Sequence, residues 1–141
     1  HYFGSKEQML IVAMRFILAE FSAHVRTELA SAQDPRARLD AIIRANFAAH
    51  VFDPRKTSAW LSFYALAQSN PHAAHLMQLY QKRLRSNLLF DLRQLTARPV
   101  PIAESLAALI DGVYLRAALN ETGNRETAAA QKWRPSRGAS H

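Results

Sequence analysis

Residues 106–119 read LAALIDGVYLRAAL, and only Asp111 and Arg116 among them are charged. As a helix, this segment has no polar face, so both of its sides must be covered. In a chain of 141 residues, one side can face the chain's own core. A second copy of the chain is the simplest cover for the other side, which predicts a two-fold symmetric homodimer.

Small side chains on this helix would let two helix backbones approach closely in such a dimer. We expect the interface to contain Ala107, Ala108, Gly112, Leu115 and Ala118. The alternative is a central helix that the other helices of the same chain wrap on both sides.

The rest of the chain also carries helix start signals. Asx-Pro pairs at 34–35, 53–54 and 70–71 place an N-cap residue before a proline at the first helical position. Pro99 and Pro101 separate the helix that begins after Pro71 from the apolar one. Since the sequence shows no alternating strand pattern, it predicts an all-α bundle of five to six helices.

The end of the apolar helix is marked by a glycine. We expect this helix to stop near Asn120, before Gly123, and a last short helix to cover 125–133.

Composition excludes several classes of protein. The chain has no cysteine, which rules out disulfide scaffolds, thiolate nucleophiles and cysteine-based zinc sites. It shows neither a signal-peptide pattern nor an apolar run of the roughly 18 residues that a membrane span needs. We therefore expect a cytoplasmic protein without membrane contacts.

The net charge of +7 and the pI of about 10.4 would suit a nucleic-acid partner. Much of the excess lies in residues 71–100, which carry five basic residues and one acidic residue. A basic face attracts polyanions without selecting among them, so charge alone does not identify a partner.

Enzyme motifs are absent from the sequence. It has no glycine-rich phosphate loop, no His-Glu-x-x-His pair and no Gly-x-Ser-x-Gly turn. His72 and His75 have helical i, i+3 spacing, but no acidic residue lies near them, which favours a surface pair. We expect no catalytic residue, no metal site and no cofactor.

Asp111 is the residue that core packing explains least. A carboxylate inside an apolar helix is costly unless it is paired or neutralised. One explanation is an ion pair with an arginine of the same chain or of a partner chain. The other is that Asp111 faces a cationic ligand.

An aromatic triad supports the second explanation. Trp60, Phe63 and Tyr64 have i, i+3, i+4 spacing and share one helical face. With Tyr80 or Tyr114 they could close an aromatic box, whose ring faces attract a quaternary ammonium. Ordinary core packing is the alternative.

Four segments carry a resemblance to a known family. Residues 2–10, YFGSKEQML, look like the junction between the DNA-binding and ligand-binding domains of the TetR family of transcriptional repressors. Within that family, residues 59–64, 83–88 and 106–119 resemble the choline-sensing repressors of glycine betaine synthesis. The resemblance covers residues 1 to about 120.

The resemblance implies three regions. Residues 1–5 would be the remnant of a helix-turn-helix domain, 6–134 the ligand-binding and dimerisation domain, and 135–141 a flexible tail. It also implies choline, or a similar quaternary ammonium, as the effector. The ligand-binding residues implied in this way are Trp60, Phe63, Tyr64, Asn87, Asp111 and Tyr114.

A DNA-contacting role would remain only in part. His1, Tyr2 and Lys6 match the end of the DNA-binding domain, and operator DNA would be a partner only of a protein with its complete helix-turn-helix.

The sequence leaves three alternative functions open. The chain could be a dimerisation-only module that pairs with full-length repressor protomers, or a TetR-type sensor of another small cationic or apolar ligand. A small helical enzyme is a further alternative, which no motif supports.

Overall fold

The computed structural model describes residues 2–48 and 53–132, with side chains described for 6–47, 53–120 and 130–131. Across these residues the secondary structure is helical, with no strand, so the all-α prediction is confirmed. The five helices are α1 (Tyr2–Ala30), α2 (Pro35–Ala48), α3 (Pro54–Ala67), α4 (Pro71–Leu95) and α5 (Pro99–Lys132).

The Asx-Pro signals begin three of these helices, as predicted. The Asp34 carboxylate accepts the backbone N–H of Ala37 at 2.8 Å at the start of α2. Asp53 caps α3 by accepting the N–H of Arg55. Asn70 caps α4 by accepting two backbone N–H groups. Each cap satisfies donors that the first helical turn leaves without partners.

The prediction for the end of the apolar helix is wrong. Helix α5 continues through Gly123 to Lys132, so 125–132 belongs to it instead of forming a separate helix. A single glycine lowers helix propensity by about 1 kcal/mol relative to alanine but keeps its backbone N–H. It therefore weakens a long helix without ending it.

The two ends of the chain are described only in part. Residues 2–5 are helical and continuous with the rest of α1, so no helix boundary separates the predicted remnant from the ligand-binding region. His1 and the predicted tail, 135–141, lie outside the described residues.

Helix α4 lies in the middle of the bundle and packs against α2, α3 and α5, while α1 packs mainly against α2 and α3. The largest fully buried side chains come from five helices and form one core: Met14, Ile42, Asn46, Trp60, Phe63, Leu88, Asp91 and Tyr114.

A buried ion pair fixes α2 against α4. Arg38 Nε donates to Asp91 Oδ1 at 3.0 Å, and the Asp91 side chain is fully buried. The same guanidinium lies 5.3 Å from the centroid of the Phe90 ring, within cation–π range. Together these contacts set the position of the helix that carries Tyr80.

Helix α1 is long and apolar enough over Lys6–Ala30 to pass a length-and-composition test for a membrane span. It also supplies core residues to the bundle, including Met14, Phe21 and Val25. Core helices and N-terminal signal sequences satisfy the same criteria, so one such helix is weak evidence for a membrane span.

Candidate functional site

Helices α3, α4 and α5 bring five aromatic rings together around Trp60, and we call these rings the aromatic cluster. On α3, the ring centroids of Phe63 and Tyr64 lie 6.3 and 5.7 Å from Trp60. The Tyr80 ring of α4 lies 5.0 Å away. The Tyr114 ring of α5 stacks on Trp60 at 5.9 Å and 21°. Both tyrosines that the sequence offered as closing walls are therefore present.

The other four rings of the aromatic cluster each contact Trp60 directly. Aromatic pairs in contact have centroids roughly 4.5–7 Å apart, and each of the four separations from Trp60 lies in this range. A cation between two of these rings needs them to separate. In this arrangement the cluster packs as core, and Trp60 is only 1% exposed.

One edge of the cluster is polar. Asp111 Oδ1 and the hydroxyl groups of Tyr64 and Tyr80 are buried, and none of these atoms has a hydrogen-bond partner among the described residues. Leaving such a group unsatisfied costs about 1–3 kcal/mol. The edge therefore holds three polar atoms that the described part of the protomer leaves without partners.

The Asp111 charge acts on three tyrosines of the aromatic cluster. Burial, and after it the Asp111 charge, raises the pKa of Tyr64. Burial is also the main cause of the raised pKa of Tyr80 and Tyr114, to which the Asp111 charge contributes. The hydroxyl groups of these three tyrosines therefore stay protonated, and the Tyr114 hydroxyl already has a hydrogen-bond acceptor.

Asp111 itself is hard to ionise. Burial raises its pKa from 3.8 to about 6. No arginine pairs with it in the part of the chain that the structure describes. The same-chain ion pair considered above is therefore not observed, and a charge from a ligand or a partner chain would stabilise the carboxylate.

Sequence reasoning missed Asn46. The Tyr114 hydroxyl donates to the backbone carbonyl of Asn46 and lies 3.2 Å from Asn46 Oδ1. Asn46 is fully buried, and its amide donates to the Ile42 carbonyl at 2.8 Å. An asparagine one residue before Phe47, on the apolar side of α2, was the available signal.

The structure places Asn87 elsewhere. It is exposed on α4 and lines a groove of about 490 Å³ between α1, α2 and α4, which we call the α1–α4 groove. Tyr80 and Asn46 line the same groove. Among the predicted ligand-binding residues, the structure therefore brings together Trp60, Phe63, Tyr64, Asp111 and Tyr114, with Tyr80 between the two sites.

Helix α5 has an apolar face that the described part of the protomer leaves uncovered. Leu109 is 62% exposed, Leu115 and Ala108 are also exposed, and a Cβ added to Gly112 would meet no atom within 4 Å. The alternative in which the chain's own helices wrap this helix on both sides is wrong for these residues.

Two predicted interface residues lie on the inner side of α5. Ala107 is partly buried and packs against the core, and Ala118 is 2% exposed. Ala118 is therefore a core residue of the protomer, because its position on the helix faces inward, and it does not belong to the uncovered face.

The residues assigned to the DNA-contacting remnant are described only in part. Lys6 is exposed, Tyr2 is helical, and His1 lies outside the described residues. His72 and His75 are exposed on the first turns of α4, and a search of the described side chains finds no group of three that could hold a metal ion.

A family model and the curated relatives place the chain in the same family. Residues 35–132 match the model of the BetI-type transcriptional repressor C-terminal domain. The chain is 44% identical over 121 residues to the HTH-type transcriptional regulator BetI of Rhizobium meliloti, covering 84% of this chain and 60% of that protein. The regulators of the same name from Brucella canis and Brucella anthropi are 42% and 41% identical over 84% of this chain, with 61% and 62% of their lengths covered.

The chain thus spans about three fifths of the length of these curated relatives. No solved structure gives a significant match. The matched domain, the identity to the regulators and the all-helical bundle agree. The chain belongs to the BetI-type transcriptional repressors of the TetR family and carries their C-terminal domain.

Proposed function

We propose that this chain is the effector-sensing and dimerisation part of a TetR-type repressor that responds to choline or a similar small quaternary ammonium. In a longer protein with a complete helix-turn-helix, it would control genes for glycine betaine synthesis in the cytoplasm. The family of its relatives, which are transcriptional regulators, supports a regulatory role over catalysis.

The observation that carries the proposal is the unpartnered Asp111 oxygen at the edge of the aromatic cluster. A quaternary ammonium supplies the positive charge that the carboxylate lacks, and its methyl groups pack on ring faces. The hydroxyl group of choline would pair with Tyr64 or Tyr80, whose own hydroxyl groups have no partner among the described residues. Choline would thus neutralise the Asp111 charge, pack on the ring faces and form a hydrogen bond with one tyrosine hydroxyl group.

The close packing of the rings supports a mechanism for the response. A cation can enter the cluster only if α3, α4 and α5 move apart, because the rings touch in this structure. The ligand then favours the open arrangement by its differential affinity for the two arrangements. In a protein with recognition helices before α1, this shift would change their separation and lower operator affinity.

The test is isothermal titration of the 141-residue chain with choline and with 3,3-dimethylbutan-1-ol, an uncharged molecule of the same shape. We expect saturable binding of choline near one site per chain, and binding of the alcohol at least about tenfold weaker. Equal affinities for choline and the alcohol would show that the positive charge of choline does not contribute to binding. No heat with choline, from protein shown to be folded by circular dichroism, would overturn the choline assignment and leave the family unchanged.

A matched pair of variants locates the site. Asp111→Asn removes the charge at the cluster and should weaken choline binding at least tenfold. Asp40→Asn removes a charge of the same kind from an exposed position on α2 and should change it less than twofold. If the two variants behave alike, the choline site lies elsewhere.

The uncovered face of α5 supports a homodimer, the commonest oligomer class. Sedimentation velocity should give the dimer mass for the chain and the monomer mass for a Leu109→Lys, Leu115→Lys variant. Leu95→Lys, at an exposed leucine near the end of α4, should leave the dimer intact. A monomeric unmodified chain would contradict the homodimer and favour the dimerisation-only alternative, which co-purification with a full-length repressor protomer would test.

A further inference from the structure

The α1–α4 groove has the opposite charge from the edge of the aromatic cluster. Among the described residues that line it, Arg15, Arg26 and Arg83 are charged and none is acidic. All three arginines are exposed, and none has an ion-pair partner among the described side chains. The groove therefore presents three positive charges that the described protomer does not neutralise.

The floor of the groove is apolar. It is lined by leucine, isoleucine, valine and phenylalanine side chains, at Leu18, Phe21, Val25, Leu29, Ile42, Leu76, Leu79 and Leu84. Arg15 and Arg26 are separated by eleven residues of α1, or about 16 Å at 1.5 Å per residue. The volume of about 490 Å³ lies within the ordinary range for small-molecule sites.

We propose that the α1–α4 groove is a second ligand site, which binds an amphipathic monoanion with an aliphatic chain and a carboxylate head. The chain would lie along the apolar floor, and the head would pair with the guanidinium groups at the rim. Arginine suits this role because its planar fork matches the two oxygens of a carboxylate.

The α1–α4 groove and the proposed choline site carry opposite charges. Three uncompensated guanidinium groups repel a quaternary ammonium, so the α1–α4 groove does not suit the ligand proposed for the aromatic cluster. A polyanion could reach the arginines but would leave the apolar floor uncovered. Of these ligands, an amphipathic anion is the one that satisfies both the rim and the floor.

The probe for this site is decanoate, with decan-1-ol and acetate as its uncharged and tail-free counterparts. In titration calorimetry we expect one decanoate per chain, bound at least about tenfold more tightly than either counterpart. If decan-1-ol binds as tightly as decanoate, the groove is an apolar surface that does not recognise the carboxylate. Acetate or inorganic phosphate that competes equally would show a general anion site, and each of these results would overturn the proposal.

Matched variants test the role of the arginines. Arg15→Gln with Arg83→Gln changes two exposed rim positions and should weaken decanoate binding at least tenfold without unfolding the chain. Lys82→Gln with Arg93→Gln removes the same number of charges from exposed positions of α4 that do not line the groove, and it should change binding less than twofold. Equal effects would show a response to net charge alone and would contradict the site.

The two ligand proposals fail separately. Choline binding that persists while decanoate binding is absent overturns only the second site, and the reverse overturns only the first.

Discussion

The aromatic cluster and the α1–α4 groove lie on two sides of Tyr80, and they place charge in opposite ways. The cluster holds one carboxylate at a buried edge, among rings that touch each other. The groove is open, and its charges are three exposed arginines at the rim. A buried charge is costly and shifts its own pKa, whereas a solvated charge costs the fold little.

Because of this difference, the two regions control different properties of the protein. Changes at the aromatic cluster should alter stability, pH dependence and ligand binding together, because its groups are part of the core. Changes at the groove rim should alter ligand binding alone.

The largest effect is expected for Trp60→Ala. Trp60 is fully buried and contacts four other rings, so its truncation should cost about 3–5 kcal/mol of unfolding free energy. Urea denaturation measures this loss. Phe16→Ala, at a ring that is 74% exposed, should cost less than about 1 kcal/mol. Similar losses for both variants would mean that the cluster is not the centre of the core.

Removing two tyrosine hydroxyl groups, one at a time, should separate effects on stability from effects on choline binding. Tyr114→Phe removes the donor to Asn46 and should destabilise the chain by about 1–2 kcal/mol, because a buried acceptor loses its partner. Tyr64→Phe removes a hydroxyl group that has no partner among the described residues. Because a buried group without a partner destabilises the fold, its removal should stabilise the chain by about 1 kcal/mol, while choline binding weakens several-fold. Chemical denaturation and calorimetry of both variants test this contrast.

Asp111→Asn should make the chain more stable at neutral pH. The pKa of Asp111 in the folded chain, about 6, lies above its ordinary value of 3.8, so the unfolded state releases this proton first and the stability of the chain falls as pH rises from about 4 to about 6. Two pKa units correspond to roughly 3 kcal/mol. The carboxylate is only partly buried, so solvent screening reduces the expected gain at pH 7 to about 1 kcal/mol.

The pH profile provides the check on that prediction. The stability difference between Asp111→Asn and the unmodified chain should shrink as pH falls below 6 and approach zero about one pH unit below the ordinary pKa of 3.8, where Asp111 is protonated in both the folded and the unfolded state. Thermal denaturation from about pH 3 to about pH 8 measures it. A difference that does not change with pH would show that Asp111 is not the titrating group.

The sequence predicted what depends on local spacing. The i, i+3, i+4 triad on α3 and the three Asx-Pro caps follow from one helix at a time, and both are observed. Asp111 can also be singled out from the sequence of its own helix, because an acidic residue among apolar ones is unusual whatever the other helices contribute.

Pairs between distant residues could not be predicted in this way. Asn46 and Tyr114 are 68 residues apart, and Arg38 and Asp91 are 53 apart, so no periodicity connects them. The α1–α4 groove is similar, because Arg83 joins Arg15 and Arg26 only when α1 and α4 are packed together. Gly123 failed as a stop signal because local propensity is a weak guide within a long helix.

The smallest expected effect is a coupling between the two sites through Tyr80, which contacts Trp60 and also lines the groove. For the aromatic cluster to open, the Tyr80 ring must move, and the groove is the neighbouring free space. Decanoate in the groove would occupy that space and should weaken choline binding by about fivefold, or about 1 kcal/mol.

Linkage requires that choline weaken decanoate binding by the same factor, so titrations in both orders check each other. Tyr80→Ala should remove the coupling, since the shared wall is then absent, while Arg83 can still hold the anion. Coupling that survives in Tyr80→Ala would mean that the two sites communicate through movement of whole helices, because the side chain between them would no longer be there to carry it.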